Sequence, residues 1–124
     1  MNIYKDAESY LENIGDQKVL AKLYLHIGIA FGRVNAYTIC MKYIQKAVYI
    51  VENIIKDPKL HCETYYRTAV LYMATEEYEN AKAYIKGAIT ICEHEHYSKM
   101  EAKCRLVYGD YLRKANHPQL YLAY

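Results

Sequence analysis

One short segment, Cys92-Glu-His94-Glu-His96, contains several side chains that could bind a metal ion. Thiolate sulfur and imidazole nitrogen are ligands that zinc accepts. In a hairpin of two helices, the start of the first and the end of the second lie at one edge, which would bring His61 and Cys62 towards this segment. The spacing is not a usual zinc motif, and His residues near a helix C-terminus are favoured by the helix dipole. We therefore expect no bound metal, with zinc at these residues as the alternative.

Residues that could catalyse a reaction have simpler explanations. His26 lies in a predicted helix and has no Ser or Cys nucleophile beside it at helical spacing. Glu76, Glu77 and Glu79 could act as paired carboxylates. They follow Thr75, which we expect to cap a helix, and acidic residues are favoured in a first helical turn. Phosphate-binding loops and common hydrolase motifs are absent from the sequence. The sequence therefore predicts a protein that is not an enzyme and that uses no cofactor.

The composition is typical of one folded domain. Of 124 residues, 53% are hydrophobic and 24% charged, and the 16 basic and 14 acidic residues are interspersed. This distribution gives no basic patch for nucleic acid. The charged, amphipathic N-terminus predicts no signal peptide, and no run approaches the roughly 18 apolar residues of a membrane span. Irregularly spaced cysteines suggest thiols in a reducing compartment. We expect a cytoplasmic protein that binds neither nucleic acid directly nor a membrane.

Hydrophobic periodicity predicts helices along the whole chain and no strands. The predicted helices cover residues 3–14, 17–33, 36–55, 58–74, 76–93 and 98–114, and a seventh starts at residues 116–118. The expected caps are Asp16, Asn35, Asp57 and Thr75, with a capping box at Ser98 and Glu101. Short connections make consecutive helices antiparallel neighbours. Gly28 lies inside a helix, where Gly is costly, so it predicts close approach of another helix.

One pattern recurs three times along the chain. The segment Tyr78-x-x-Ala81-x-x-x-Ile85-x-x-Ala88 has one counterpart starting at Tyr37, with Cys40, Ile44 and Ala47, and another starting at Tyr4, with Ala7, Leu11 and Ile14. These offsets have the size of a helix-pair repeat. We predict one domain, residues 1–124, made of a half repeat at 3–14, repeats at 17–55 and 58–93, and a partial repeat at 98–124.

These helix pairs resemble the tetratricopeptide repeat, whose helices A and B pack small and aromatic residues at fixed spacing. The matching A-helix residues are Tyr24, Ile27, Gly28 and Phe31, then Tyr65, Thr68, Ala69 and Tyr72. The third A helix matches either through Cys104, Val107, Tyr108 and Tyr111 or one residue later, through Gly109 and Leu112. The resemblance implies an all-α, right-handed solenoid of about seven helices that binds a protein or peptide.

The spacing of roughly 40 residues between the later repeats is longer than usual for this family. It looks like that of the C-terminal domains of Gram-positive peptide-pheromone receptors of the Rap and PlcR type. Those receptors hold a peptide backbone with Asn side chains on the inner helices, and no Asn lies at the matching positions here. Nor is there the Lys/Asn/Arg set with which some tetratricopeptide domains hold a C-terminal carboxylate.

We therefore expect a regulatory, non-catalytic module that binds a protein or peptide on the concave face of its A helices. The residues expected on that face are Lys22, Leu25, Ile29, Arg33, Glu63, Tyr66, Val70, Met73 and Arg105. One alternative is a peptide-sensing fragment of a bacterial transcriptional or phosphatase-type regulator. Another is a scaffold that self-assembles, for instance as a homodimer, through its terminal helices. That contact would involve the apolar residues Leu120, Tyr121 and Tyr124.

Pairs of lysines lie one turn apart on the predicted B helices. They are Lys42 with Lys46 and Lys82 with Lys86. We expect these lysines to form a solvated outer face, and the alternative is a docking strip for an acidic partner.

Overall fold

Helices account for all the regular structure in the residues that the computed structural model describes, 5–8 and 16–116. In chain order they are α1 (Gln17–Arg33), α2 (Tyr37–Asn53), α3 (Pro58–Ala74), α4 (Tyr78–Glu95) and α5 (Ser98–Tyr111), followed by a π-helical turn at Leu112–Asn116. Residues 5–8 are also helical. Adjacent helices pack together, α1 against α2 and α4 against α5. The predicted all-α fold of repeated helices is confirmed.

The chain divides into two units, residues 1–64 and 65–124. In the first unit, α1 and α2 bury apolar stripes with helical spacing. The fully or almost fully buried side chains include Leu20, Tyr24 and Ile27 of α1 and Ile44, Ala47 and Val51 of α2. A Cβ atom added to Gly28 would lie only 2.6 Å from Ile44 Cγ1 and 3.3 Å from the carbonyl oxygen of Cys40. The close approach of α2 that Gly28 predicts is thus confirmed.

The second unit contains the C-terminal part of α3, then α4, α5 and the π-helical turn. Its most buried side chains include Ala69, Ala81, Ile85, Ala88, Cys104 and Tyr111. Here the close contact involves α4: a Cβ atom on Gly87 would lie 2.9 Å from Cδ2 of Tyr65. The ring of Tyr65 also meets Tyr84 edge-on, with 5.1 Å between ring centroids.

The helix pairs α1–α2 and α3–α4 repeat with an offset of 41 residues. The A helices α1 and α3 start at Gln17 and Pro58 and contain 17 residues each, and the B helices start at Tyr37 and Tyr78. In both pairs one B-helix tyrosine, Tyr43 or Tyr84, packs on two A-helix aromatic rings. The centroid distances are 6.1 and 6.3 Å from Tyr43 to Tyr24 and Phe31, and 5.1 and 5.8 Å from Tyr84 to Tyr65 and Tyr72.

Two of the predicted caps are confirmed. The backbone N–H of Val19 donates to Asp16 Oδ1, and that of Leu60 donates to Asp57 Oδ1, both at 3.1 Å. Pro58 follows Asp57 at the first helical position, where its missing N–H costs nothing. The helices α1 and α3 therefore start with the same device.

The other predicted caps are wrong. Asn35 has a left-handed backbone (φ 62°) and ends α1, where the N–H of Ala36 donates to the Phe31 carbonyl. The Thr75 hydroxyl, which has one proton to donate, instead lies 2.8 Å from Glu77 Oε2 and 3.2 Å from the Tyr72 carbonyl oxygen, and α4 starts after Glu77. The capping box also fails, because α5 starts after Tyr97 without a side-chain cap.

The third helix A starts at Ser98, 40 residues after Pro58. This offset places Gly109 at the position of Ala69, which favours the later of the two predicted registers. The helix ends at Tyr111, earlier than predicted. The division into repeats stays a prediction, because most of the half repeat 3–14 and all of residues 117–124 lie outside the described residues. In the described part of the chain, no helix is long and apolar enough to cross a membrane.

Candidate partner-binding surfaces

The face predicted for partner binding is only partly accessible in the first unit. Lys22 and Arg33 are exposed, while Ile29 and Glu63 are half-buried. Leu25 is 3% exposed and belongs to the core, so its assignment to a binding face is corrected. The buried stripe of α1 includes residues 20, 21, 24, 25, 27 and 28. This buried stripe covers more of the α1 surface than the sequence spacing predicts, so less of the helix is accessible to a partner.

In the second unit, the predicted residue Tyr66 lies close to two cations. The Arg67 guanidinium carbon is 5.5 Å from the centroid of the Tyr66 ring, and the Lys103 ammonium nitrogen is 5.6 Å from it. Both distances are within the roughly 6 Å over which a cation is attracted to an aromatic face. Lys103 belongs to α5, so this contact brings together a residue of α3 and a residue of the next A helix.

Exposed aliphatic side chains accompany this cluster. Val70 lies one turn after Tyr66 on α3 and is 37% exposed, and Leu106 lies three residues after Lys103 on α5 and is 75% exposed. Among the described residues of the second unit, these two are the exposed large hydrophobic side chains. We call Tyr66, Arg67, Val70, Lys103 and Leu106 the Tyr66 surface. Met73, also predicted on this face, is half-buried.

Arg105 does not share this arrangement. Its Nε donates to Glu101 and its Nη2 to Glu93, both at 2.8 Å. Hydrogen bonding to Glu101 is the main cause that raises the pKa of Arg105. Because Arg105 is held by two carboxylates of its own chain, the exposed Lys103 is the more accessible cation near Tyr66, while Arg67 is half-buried and its Nε is buried.

The predicted metal ligands of the second unit do not form one group. His94 is exposed and its Nδ1 lies 2.8 Å from Glu95 Oε2, and the exposed His96 ends α4 with a left-handed backbone. Cys92 is fully buried, and its sulfur lies within 4.8 Å of that of Cys104. In the first unit, Cys62 is buried, and burial lowers the pKa of the half-buried His61. The expectation that no metal binds stays a prediction.

The first unit contains a groove between α1 and α2 with a volume of about 720 Å³. We call it the α1–α2 groove. The described residues that line it are Gln17, Leu20, Tyr24, Thr38, Met41, Lys42, Gln45, Lys46, Tyr49, Ile50 and Ile54. Its lining is apolar and aromatic at several positions, carries two lysines and, among these residues, has no carboxylate.

Glu8, which is not among these lining residues, nevertheless forms an ion pair with Lys46 of the groove. The ammonium group of Lys46 lies 3.1 Å from Glu8 Oε2 and 5.1 Å from the centroid of the Tyr24 ring. Burial by itself would raise the pKa of Glu8. The hydrogen bonds from Tyr24 and Lys46 outweigh that effect and hold the pKa below its usual range. Lys46 and Tyr24 thus together bind a carboxylate oxygen.

Comparison with known proteins adds no relative. No protein-family model matches the chain, and no curated protein matches it. The class of the protein therefore rests on its own geometry, an all-α chain of repeated helix pairs.

Proposed function

We propose that the protein is a non-catalytic, tetratricopeptide-like interaction module that binds an acidic protein or peptide segment on the Tyr66 surface. The observation that carries this proposal is the half-buried ring of Tyr66 with Arg67 and Lys103 beside it and with Val70 and Leu106 exposed on the same two helices. Tyr and Arg are the residue types that most often dominate binding energy at interfaces.

The chemistry of the surface favours an acidic, partly apolar occupant. Val70 and Leu106 lose contact with water when a partner covers them, which stabilises the complex by the hydrophobic effect. The two cations need anionic partners once they are removed from solvent. A specific complex would bury about 1,000 Å² or more in total, so the occupant is expected to be a helix or an extended segment.

Selection of peptides from an acidic display library against the full chain tests this proposal. We expect the selected peptides to bind at least about fivefold more weakly to Tyr66→Ala and to Leu106→Asp, since a lost anchor costs about 1 kcal/mol or more. The matched control is Val34→Asp, because Val34 is 71% exposed on the first unit. Thermal unfolding must show that all three variants fold cooperatively. Equal binding by Leu106→Asp and Val34→Asp contradicts the proposal.

A second candidate is a peptide-sensing part of a bacterial regulator similar to the Rap and PlcR type. Its support is the 41-residue offset between α1–α2 and α3–α4, which is longer than the usual tetratricopeptide spacing. Thermal-shift screening of short secreted-type peptides tests it, and no stabilisation by any of them counts against it. A cytoplasmic location fits either function, because all four buried cysteines are outside disulfides.

Self-association through the terminal helices is a third candidate. It concerns Leu120, Tyr121 and Tyr124, which lie outside the described residues, so its support is the apolar sequence alone. Analytical ultracentrifugation of the full chain tests it, and a monomer at high concentration excludes it.

A further inference from the structure

We propose that the α1–α2 groove is a second binding site, for an acidic amphipathic peptide whose carboxylates are held by Lys42 and Lys46. This site lies in the first unit and is separate in sequence and in composition from the Tyr66 surface. The groove would recognise two carboxylates and one apolar face of this peptide.

The shape of the groove suits a ligand. Its volume of about 720 Å³ falls in the range of roughly 300–1,000 Å³ that is typical of ligand-binding clefts. Leu20 and Ile50 line the groove but are only 3% and 4% exposed, so the apolar side chains that a ligand can cover are Tyr49 and Ile54, which are 60% and 49% exposed. Exposed apolar side chains beside a groove lower the free energy of a complex in which a ligand covers them.

The charge of the groove selects an acid. Lys42 and Lys46 lie one turn apart on α2, so both ammonium groups can reach the same stretch of ligand. Lys46 pairs with Glu8, whereas no ion pair of Lys42 is found among the described residues. The described lining has two cations and no carboxylate, and Glu8 neutralises one of these cations from outside the lining, so Lys42, unpaired among the described residues, makes the groove complementary to an acidic ligand.

Glu8 shows that the groove residues Lys46 and Tyr24 can bind a carboxylate. Its carboxylate receives hydrogen bonds from Lys46 and from Tyr24, and these bonds lower the pKa of Glu8 against the effect of burial. A carboxylate of the ligand can replace that of Glu8 at Lys46, whose side chain is 42% exposed, and Lys42 adds a second anchor. The ligand therefore competes with Glu8 for Lys46, and removal of the Glu8 charge should favour binding.

The second helix pair lacks this arrangement and supplies the control. The residues 41 positions after Lys42 and Lys46 are Ala83 and Gly87. The lysines of α4 lie elsewhere, at Lys82 and Lys86, and Lys86 lies 6.0 Å from the centroid of the Tyr108 ring. Charge reversal at Lys82 therefore changes the net charge of the chain as much as reversal at Lys42, without touching the groove.

The experiment measures fluorescence anisotropy of a labelled amphipathic peptide of about 15 residues, a length that can form a helix. The peptide has Leu on one face and Glu at two sites one turn apart, and a second peptide has Gln at those sites. We expect the Glu peptide to bind the full chain at least about tenfold more tightly than the Gln peptide. Lys42→Glu and Lys46→Glu should each lose about tenfold in affinity, and Lys82→Glu less than about twofold.

Glu8→Gln removes the competing carboxylate, and Glu79→Gln is its control, because it changes the net charge by the same amount at an exposed residue outside the groove lining. We expect Glu8→Gln to bind the Glu peptide up to about fivefold more tightly, the worth of a partly exposed ion pair, and Glu79→Gln to change the affinity by less than about twofold. Because Lys46→Glu could disturb the Tyr24 and Tyr43 rings, Lys42→Glu with an unchanged circular dichroism spectrum decides the test. Equal loss in Lys42→Glu and Lys82→Glu overturns the site, as does equal binding of the two peptides. Leu106→Asp, which tests the Tyr66 surface, should leave binding at the groove unchanged.

Discussion

The helix pairs α1–α2 and α3–α4 share an aromatic cluster but differ at the residue that lies against its A-helix tyrosine. In the first pair, Lys46 lies over the ring of Tyr24 at 5.1 Å. In the second, the equivalent position is Gly87, whose backbone lies directly against Tyr65. The repeat therefore keeps the rings and changes what packs on them: a cation that can bind an anion in one pair, and a bare backbone in the other.

The position that requires glycine lies on different helices in the two pairs. In the first, the close contact needs Gly28 on helix A, against Ile44. The equivalent residue of the second pair is Ala69, which is fully buried. Each pair therefore has one helix position that excludes a side chain, but the position lies on helix A in one pair and on helix B in the other. The two pairs share a frame and have different packing inside it.

Gly28→Ala should have the largest effect and sharpens this difference. The new methyl group would lie 2.6 Å from Ile44 Cγ1 and close to the backbone carbonyl of Cys40, which cannot move without shifting α2. Overpacking of this kind costs about 1–3 kcal/mol of unfolding free energy. Urea denaturation followed by circular dichroism measures it.

Gly32→Ala is the control on the same helix, because a methyl group there would make an ordinary contact of 3.5 Å with Cys40 Sγ. It should be neutral or stabilising by up to about 1 kcal/mol, as expected for Ala in place of Gly in a helix. A Gly28→Ala variant as stable as Gly32→Ala would mean that α1 and α2 are not held at this distance.

Gly87→Ala should have a smaller effect, of about 1 kcal/mol. Its methyl group would lie 2.9 Å from Tyr65 Cδ2, an atom of a side chain that can yield more easily than backbone. The helix preference of Ala offsets part of the cost. Gly109→Ala is the control, because its nearest neighbour would be Arg113 Nη1 at 4.0 Å, and it should be stabilising. If Gly87→Ala stabilises as much as Gly109→Ala in urea denaturation, the Tyr65 contact does not restrict α4.

The sequence predicted those parts of the fold that depend on local chemistry. The bounds of α1 and α3, the caps Asp16 and Asp57 and the close approach at Gly28 all follow from side chains acting on their own helix or its neighbour. The turns after α1 and α3 were assigned wrongly. Asn favours both a helix N-cap and the left-handed position after a helix, and the sequence does not say which applies at Asn35. The left-handed Glu76 has no such preference and is set by its surroundings.

The candidate sites were predicted less well, because they depend on contacts between helices and not on local chemistry alone. Tyr66 was expected on a binding face, but its cation Lys103 was not, because their contact joins helices that are far apart in the sequence. The α1–α2 groove was missed except for its lysines. Residues such as Leu20 and Ile50 have the spacing of core residues, and periodicity alone does not separate the lining of a groove from a filled core. Alignment of the two helix pairs at an offset of 41 residues would have shown the change from Lys46 to Gly87.

The two N-caps offer the finest test of the comparison. Asp16 and Asp57 accept the same backbone hydrogen bond at 3.1 Å, but Asp57 Oδ2 also lies 2.9 Å from Lys18 Nζ. Replacement of either cap by Ala should cost about 1 kcal/mol, with Asp57→Ala costing a few tenths more because an exposed ion pair adds little. Urea midpoints at pH 7 measure both.

The pH dependence separates the two caps further. The hydrogen bond from Lys18, followed by that from the Leu60 N–H, lowers the pKa of Asp57 below its ordinary value. A carboxyl group with a lowered pKa in the folded state stabilises the protein above its unfolded-state pKa of about 3.9, and this stabilisation is lost as the pH falls through the folded-state value. The wild type should therefore lose its advantage over Asp57→Ala between about pH 5 and pH 2. Lys18→Met should reduce this loss and leave Asp16→Ala unaffected; an Asp57→Ala difference that is constant with pH would show that Lys18 does not act on this cap.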